Sequence, residues 1–359
     1  MTSFFSLPNS LHTCMTHYLE QAFLGTRSAA VQQKVTLHLQ RFIDSFEQTY
    51  GHDRLSIWGQ RDTITWRQQL KAQQLAPATI NNHLASLSSF ATWIQTHAPT
   101  LFTMGDPTKG VGDLPLPPLE PRALTKEQVR TLKSLCDRLE SYSRMKGQQW
   151  AKQRGTAELL PLHRKARPKR DKALVLVLLS TGLRREELVN LNLDQLTPNT
   201  AQALREGRRA KLQRVQGKGK TERQVFLSAD ARHALADYLE QERCHDVVTQ
   251  LPHSQPLFVS ACNVIPRHDT GRLSPRAVNL ILEQIGRWHD AEFDEQDRER
   301  RISPLRPHDL RHTFAFHLAE ATGSDTYELE RRLGHRSQRY IQRYTNPPEA
   351  VAADYIEEF

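Results

Sequence analysis

At 359 residues the chain has room for two domains of ordinary size. Its mean hydropathy of −0.62 and its longest apolar run, Ala173 to Leu179, exclude a membrane-spanning helix, which needs about 20 apolar residues. Lys and Arg number 49 against 40 Asp and Glu, a formal net charge of +9, which suits a polyanion better than a small acidic metabolite.

The opening segment, MTSFFSLPNS, has no basic stretch ahead of an apolar block, so a cytoplasmic location is expected. Cys14, Cys136, Cys244 and Cys262 are widely spaced and form no CxxC pair, which argues against a disulfide scaffold or a cysteine-based zinc knuckle. The N-terminal part reads as helical. Val31, Val35, Phe42 and Phe46 recur at helical spacing, as do Ile80, Leu84, Leu87, Ala91 and Ile94 behind Pro77 as a first-turn residue. Thr79, Asn82, His83 and Ser86 lie off that second stripe, and read either as phosphate contacts or as plain polar surface.

Residues 106–121, DPTKGVGDLPLPPLEP, read as an extended linker, because proline lacks a backbone donor and fixes φ. The linker divides the chain into residues 1–118 and 119–359. After it, Thr125 and Gln128 form a capping-box pattern that opens a helix running to about Leu139. Residues 144–170 follow, with nine basic residues and one acidic residue, Glu158. The next helix carries the apolar run and ends in STGLRREELVNL. KLQRVQ, the turn GKGKTER and RQVFL then read as a two-stranded antiparallel hairpin with a basic tip. Residues 205–223 carry eight basic and two acidic residues. One such run alone reads as a solvated face; two of them added to the global excess put a nucleic acid on a par with that reading. Ser274 and Pro275 cap a helix over SPRAVNLILEQIG, which places Arg276 in its first turn as a candidate DNA contact, and Pro307 opens another helix over HDLRHTFAFHLAE. The expected fold is mainly α with a small antiparallel β-sheet, an α+β class.

The densest chemical signal is HDLRH, residues 308–312. On a helix, residues 308, 311, 312 and 315 share one face while Leu310, Phe314 and Leu318 form an apolar stripe, leaving His308 and Arg311 at the rim. The four-residue spacing of His308 and His312 is that of an HExxH zinc helix, but the base position holds Asp309 and Arg311 would set a cation beside the metal. No metal and no cofactor are therefore expected. Downstream, LGHRSQRYIQRY supplies His335, Tyr340 and Tyr344. Upstream, TGLRREEL supplies Arg184 with Glu187 one turn on, which alone reads as a surface pair.

In order and content these pieces resemble the tyrosine recombinase family of phage-type integrases and chromosome-dimer recombinases. TGLRREEL resembles that family's first arginine box, GKGKTER its hairpin lysine turn, HDLRHTFA its HxxR box and LGHRSQRYIQRYTNP its closing box, over roughly residues 123 to 350. The closing box sets the nucleophile nine residues after the histidine, which selects Tyr344 over Tyr340. The N-terminal helices resemble the family's core-binding domain, and residues 119–359 its catalytic domain.

The resemblance implies a site-specific recombinase acting on double-stranded DNA as a homotetramer, through a 3′-phosphotyrosyl intermediate and a Holliday junction, without ATP or metal. Tyr344 would attack the phosphate. Arg184 and Arg311 would clamp its non-bridging oxygens through forked donors. His308 would serve as acid/base, His335 would donate a hydrogen bond, and Lys218, with Lys220 as a rival in the same turn, would protonate the leaving 5′-oxygen. Glu187 would orient Arg184. The last residues, VAADYIEEF, place Val351, Tyr355 and Phe359 at four-residue steps, and in the family such a tail docks on a neighbouring subunit. Two other readings share the features: a type IB topoisomerase-like relaxing enzyme, and a DNA-binding regulator without catalysis.

Overall fold

The computed structural model describes residues 7–23, 28–116, 122–145, 166–217, 221–245, 255–260, 271–294 and 297–334. The chain forms two compact units, Met1–Leu119 and Glu120–Phe359.

The first unit is built from α1 (Leu11–Phe23), α2 (Ala29–Tyr50), α3 (Gln60–Ala72) and α4 (Pro77–His97). The α4 stripe of Ile80, Leu84, Leu87, Ala91 and Ile94 is buried throughout, behind Pro77 in the first turn. On α2 the buried stripe starts later than its sequence suggests. Val35, Leu39, Phe42, Ile43 and Phe46 are inside while Val31 is exposed, as are Ala29 and Ala30 of the same first turn. Tyr18, Phe90, Phe42 and Trp58 fill the centre with ring contacts of 5.0 to 5.4 Å.

The proline-rich stretch is not simply extended chain. Asn81 makes two hydrogen bonds to the Leu114 backbone, each 2.9 Å or less, Arg67 Nη1 donates to the Gly112 carbonyl at 2.9 Å, and Gln60 Nε2 to that of Lys109 at 2.8 Å. Its residues up to 116 are therefore fastened to α3 and α4.

His83 and Ser86 face inward, which corrects the reading of His83 as a DNA contact: His83 is 2% exposed. Its ring stacks on His38 of α2 with centroids 3.9 Å apart, and His38 Nδ1 lies 2.8 Å from Ser86 Oγ. The polar side of α4 is thus a second packing face, aimed at a helix whose position the α4 sequence does not contain. Burial, the His38 ring and the charges of Arg41 and Lys34 hold His83 down to about 4. Burial and the Lys34 charge also lower His38. Unfolded imidazoles take a proton near pH 6.5, so between that pH and about 4 the unfolded chain binds more protons than the folded one and stability falls on acidification. Urea midpoints measured across that window are expected to drop, and less steeply for His83→Gln. An identical slope in the variant would refute the assignment.

In the second unit, α5 (Lys126–Asp137) opens with the expected box: Thr125 Oγ1 accepts from Gln128 N at 3.1 Å and Gln128 Oε1 accepts from Thr125 N at 2.9 Å. Then comes α6 (Pro168–Thr181), whose residues Ala173 to Leu178 are buried all round. It is the central helix, packed by α5, by α9 (Ala229–Gln241) and by α11 (Pro307–Thr322). Between α6 and α9 lie α7 (Arg185–Val189), β1 (Leu196–Thr197), α8 (Ala201–Glu206), β2 (Ala210–Gln216) and β3 (Glu222–Leu227). The hairpin of β2 and β3 is joined by β1 as a third antiparallel strand, in the order β1-β2-β3. A two-residue strand has too little alternation to be read from sequence. Leu196, Leu212 and Val225 line up across the sheet and are buried. Residues 199–210, NTAQALREGRRA, supply α8, capped by Thr200 and anchored by buried Leu204. After α9 come α10 (Pro275–Asp290), α11 and α12 (Thr326–Leu333).

The basic runs are partly consumed inside the unit. Arg170 bonds Asp171 and the Val259 carbonyl, Arg205 pairs with Asp237 and Glu240, and Arg214 pairs with Asp194. Exposed Arg208 and Arg209 remain on the surface. No helix among the described residues is long and apolar enough to cross a membrane.

Candidate active site

The site forms where α6 stops. Gly182 takes the left-handed conformation at φ 59° and ends the helix. A Cβ there would overlap the Phe314 ring of α11, so both the turn and the close approach require glycine. Two residues on, Arg184 caps α7. Glu187, in the first turn of α7, accepts from the Arg184 backbone N–H at 2.8 Å and from Arg184 Nη1 at 2.9 Å. The Arg184 side chain is 30% exposed while that of Glu187 is 5% exposed. This is a partly buried pair in a capping box, unlike the freely solvated pair its spacing alone suggests.

Arg311 comes to the same turn from α11. Asp309 accepts from the Arg306 backbone N–H at 2.8 Å and so caps that helix, a structural use of the position where a zinc helix needs its base. Arg311 is 3% exposed, inside rather than at the rim. Of the expected apolar stripe only Leu310 is buried; Phe314 and Leu318 are half-buried, packed against the cluster of Ala315, Ala319, Leu329 and Leu333. Arg311 Nη1 donates to the Gly182 carbonyl and its Nη2 to the Leu333 carbonyl at 2.7 Å. One guanidinium therefore ties the Gly182–Arg184 turn to the end of α12.

His308 lies one turn before Arg311 on the exposed edge of α11. Partial burial, then the Arg311 charge, then the Arg184 charge hold its pKa below that of an ordinary imidazole. A histidine so placed is neutral at pH 7 and able to accept a proton. Arg184, more than a hundred residues away in sequence, thus shares one electrostatic environment with His308 and Arg311.

A further residue, absent from the sequence reading, completes the cluster. Arg223 on β3 makes a two-pronged bond to Glu187, Nη1 to Oε1 at 3.0 Å and Nη2 to Oε2 at 2.6 Å. A signal for it existed: in ERQVFL, position 223 shares a strand face with Val225 and Leu227, both buried. A charge on a buried face needs a partner. Burial pushes the Glu187 carboxyl upward, but the Arg223 hydrogen bond and charge, together with Arg184, hold it below its ordinary value. It is therefore an anion at neutral pH.

Lys218, Lys220, His335, Tyr340, Tyr344, the tail with Val351, Tyr355 and Phe359, and residues 146–165 lie outside the described residues. Gly217 and Thr221 close the hairpin around the lysine turn, with N to O at 2.7 Å. Arg276 is exposed in the first turn of α10, and Thr79 and Asn82 are exposed on α4, where Asn82 Nδ2 donates to its own helix at Ala78. No group of residues able to hold a metal ion occurs among the described residues. The buried thiols are not nucleophiles: burial pushes Cys14 up to about 11 and Cys136 up to about 12.

Comparison with known proteins gives a consistent result. A model of the phage integrase family matches residues 154–350. Over 178 residues, 49% of this chain, the sequence is 33% identical to tyrosine recombinase XerC of Thermodesulfovibrio yellowstonii, covering 50% of that protein. It is 35% identical to XerC of Pseudomonas syringae pv. tomato, again over 49% of this chain and 48% of the relative. The chain thus spans about half the length of the curated relatives it matches. Among solved structures, the fold is similar to the Tn1549 transposon integrase in complex with transposon right end DNA. That match has TM-score 0.65 and 16% identity over 98% of this chain and 99% of the other. It is also similar to the XerH site-specific recombinase bound to its difH substrate, with TM-score 0.63 and 17% identity over 97% of this chain and 84% of the other.

Proposed function

This chain belongs to the phage integrase family, and from that premise we propose that it is a site-specific tyrosine recombinase that cleaves and rejoins double-stranded DNA. The observation that carries the reading is the gathering of Arg184, Arg311 and His308 around the end of α6.

Breaking a phosphodiester without a metal requires a nucleophile, positive charge on the non-bridging oxygens and a proton for the leaving oxygen. Arg184 and Arg311 supply the charge. Arg311 is already spent in part on two carbonyls, so its fixed guanidinium acts as a preorganised donor. Tyr344 attacks phosphorus as its phenolic proton passes to neutral His308. The new bond joins the phenolic oxygen to the 3′-phosphate, the bond to the 5′-oxygen breaks, and Lys218 supplies that oxygen's proton. His335 donates to the phosphate. Attack by the 5′-hydroxyl of another strand reverses each transfer, so the energy of the ester is kept in the protein link and no ATP is needed.

Exchange between two duplexes implies a homotetramer on paired sites, with the first unit adding a second surface on the duplex through exposed Thr79 and Asn82, and with Arg276 and Lys220 as further contacts. Much of the affinity then comes from phosphates and falls steeply with salt. The C-terminal tail docks on a neighbouring protomer in that assembly. The enzyme works in the cytoplasm, where its DNA is. The relatives named XerC and XerH and the DNA in the two solved complexes support this reading.

A duplex nicked next to the scissile phosphate, which traps the covalent product, tests it. Wild-type protein is expected to form an adduct that migrates as protein plus DNA in denaturing gels, and Tyr344→Phe none. DNA binding with no adduct in the wild type would favour the regulator, and relaxation of supercoiled DNA without exchanged products would favour a topoisomerase-like enzyme.

A further inference from the structure

We propose that Arg223 is a positioning residue that locks the Arg184 turn to the end of α12, setting the shape of the phosphate-binding cluster without touching DNA. The inference rests on the recombinase reading and deepens it.

Each donor direction of the Arg223 guanidinium is used. Nη1 and Nη2 grip the two oxygens of Glu187, and Nε donates to the Arg332 carbonyl at 2.9 Å. The side chain is 8% exposed, and all three of its nitrogens donate to protein rather than to solvent. The Gly334 backbone lies directly against it: a Cβ added there would sit 3.1 Å from Arg223 Nη1, and the left-handed φ of 63° also requires glycine. A second contact ties the same two elements. The Arg332 guanidinium lies over the Phe226 ring, 4.8 Å from its centroid, and its Nε bonds Glu328 at 3.0 Å.

Glu187 also holds the Arg184 backbone and Nη1, so Arg223 acts on Arg184 through one carboxylate. The Leu333 carbonyl, one residue past the carbonyl that Arg223 holds, is gripped by Arg311. The turn that leads into His335 is therefore pinned by two arginines, one from β3 and one from α11. A lysine at 223 would keep the charge but meet only one of these three partners at a time. The hairpin strand, the α7 cap and the end of α12 share no direct chain connection, and Arg223 joins all three.

Full-length wild type, Arg223→Gln and Arg223→Lys are compared on the nicked duplex in single-turnover adduct formation, with DNA affinity measured separately. Affinity is expected to stay at the wild-type level in both variants while the adduct rate falls about 100-fold, the size of a small misplacement of catalytic groups. Removing Arg223 also leaves Glu187 with only Arg184 to hold it ionised, so the acid limb of the rate profile is expected to move toward neutral pH in Arg223→Gln. If Arg223→Gln does not fold, Arg223→Lys decides by the same rate and affinity. Wild-type rates in folded variants, full recovery with lysine, or affinity falling in step with rate would each overturn the proposal. Absence of an adduct with wild-type protein would instead defeat the recombinase reading, and the positioning role with it.

Discussion

Arg311→Lys is expected to slow covalent adduct formation on nicked DNA by about 10²- to 10³-fold, the loss associated with removing one preorganised donor, about 2.7 to 4 kcal/mol. Arg311 is 3% exposed and already committed to the Gly182 and Leu333 carbonyls. A planar guanidinium holds both carbonyls at once and fixes its charge in one place and orientation, whereas an ammonium is a single point of charge. The substituted chain keeps the charge of the site, so DNA affinity is expected to change little and the loss to appear in the rate. Single-turnover kinetics with excess protein measure this. A rate near wild type in Arg311→Lys would mean that the cluster does not face the scissile phosphate.

The largest effect on stability is expected at Glu187. Its carboxylate accepts four N–H bonds, two from Arg184 and two from Arg223, and the paired side chains of Glu187 and Arg223 are 5% and 8% exposed. Glu187→Ala leaves the Arg223 guanidinium buried against nothing of opposite charge, and breaking such a pair typically costs about 3 to 5 kcal/mol. Part of the strain is relieved by its remaining bond to the Arg332 carbonyl. Equilibrium denaturation should show the loss, and Glu187→Gln, which keeps acceptors of the same shape, should recover part of it. An unchanged midpoint in Glu187→Ala would show that the pair is solvated in solution.

These two sites mark how far the sequence is legible. Local relationships are written in it. The Thr125–Gln128 box, the helix starts at Ser274 and Pro307 and the buried stripe of α4 all follow from residues close along the chain. The Arg184–Glu187 contact is likewise an i, i+3 relation. What escapes is set by partners far along the chain. Arg311 is buried because the Gly182 carbonyl, 129 residues away, accepts from it, and no periodicity in HDLRH contains that fact. His83 is inside because His38 of α2 sits opposite, so the polar side of α4 could be read only as a surface. The third strand, Leu196–Thr197, is specified by its pairing with Leu212 and Lys211 rather than by its own two residues. Arg223 stands between the cases: strand alternation places a charge on the buried face, but only the fold shows that Glu187 waits there.

If a phenol attacks DNA phosphorus inside this arginine cluster, the trapped protein–DNA adduct, isolated and digested, shows that linkage by mass spectrometry. One linked peptide is expected, with the DNA 3′-phosphate on Tyr344. A link at Tyr340, at a serine or cysteine, or to a 5′-phosphate would contradict it.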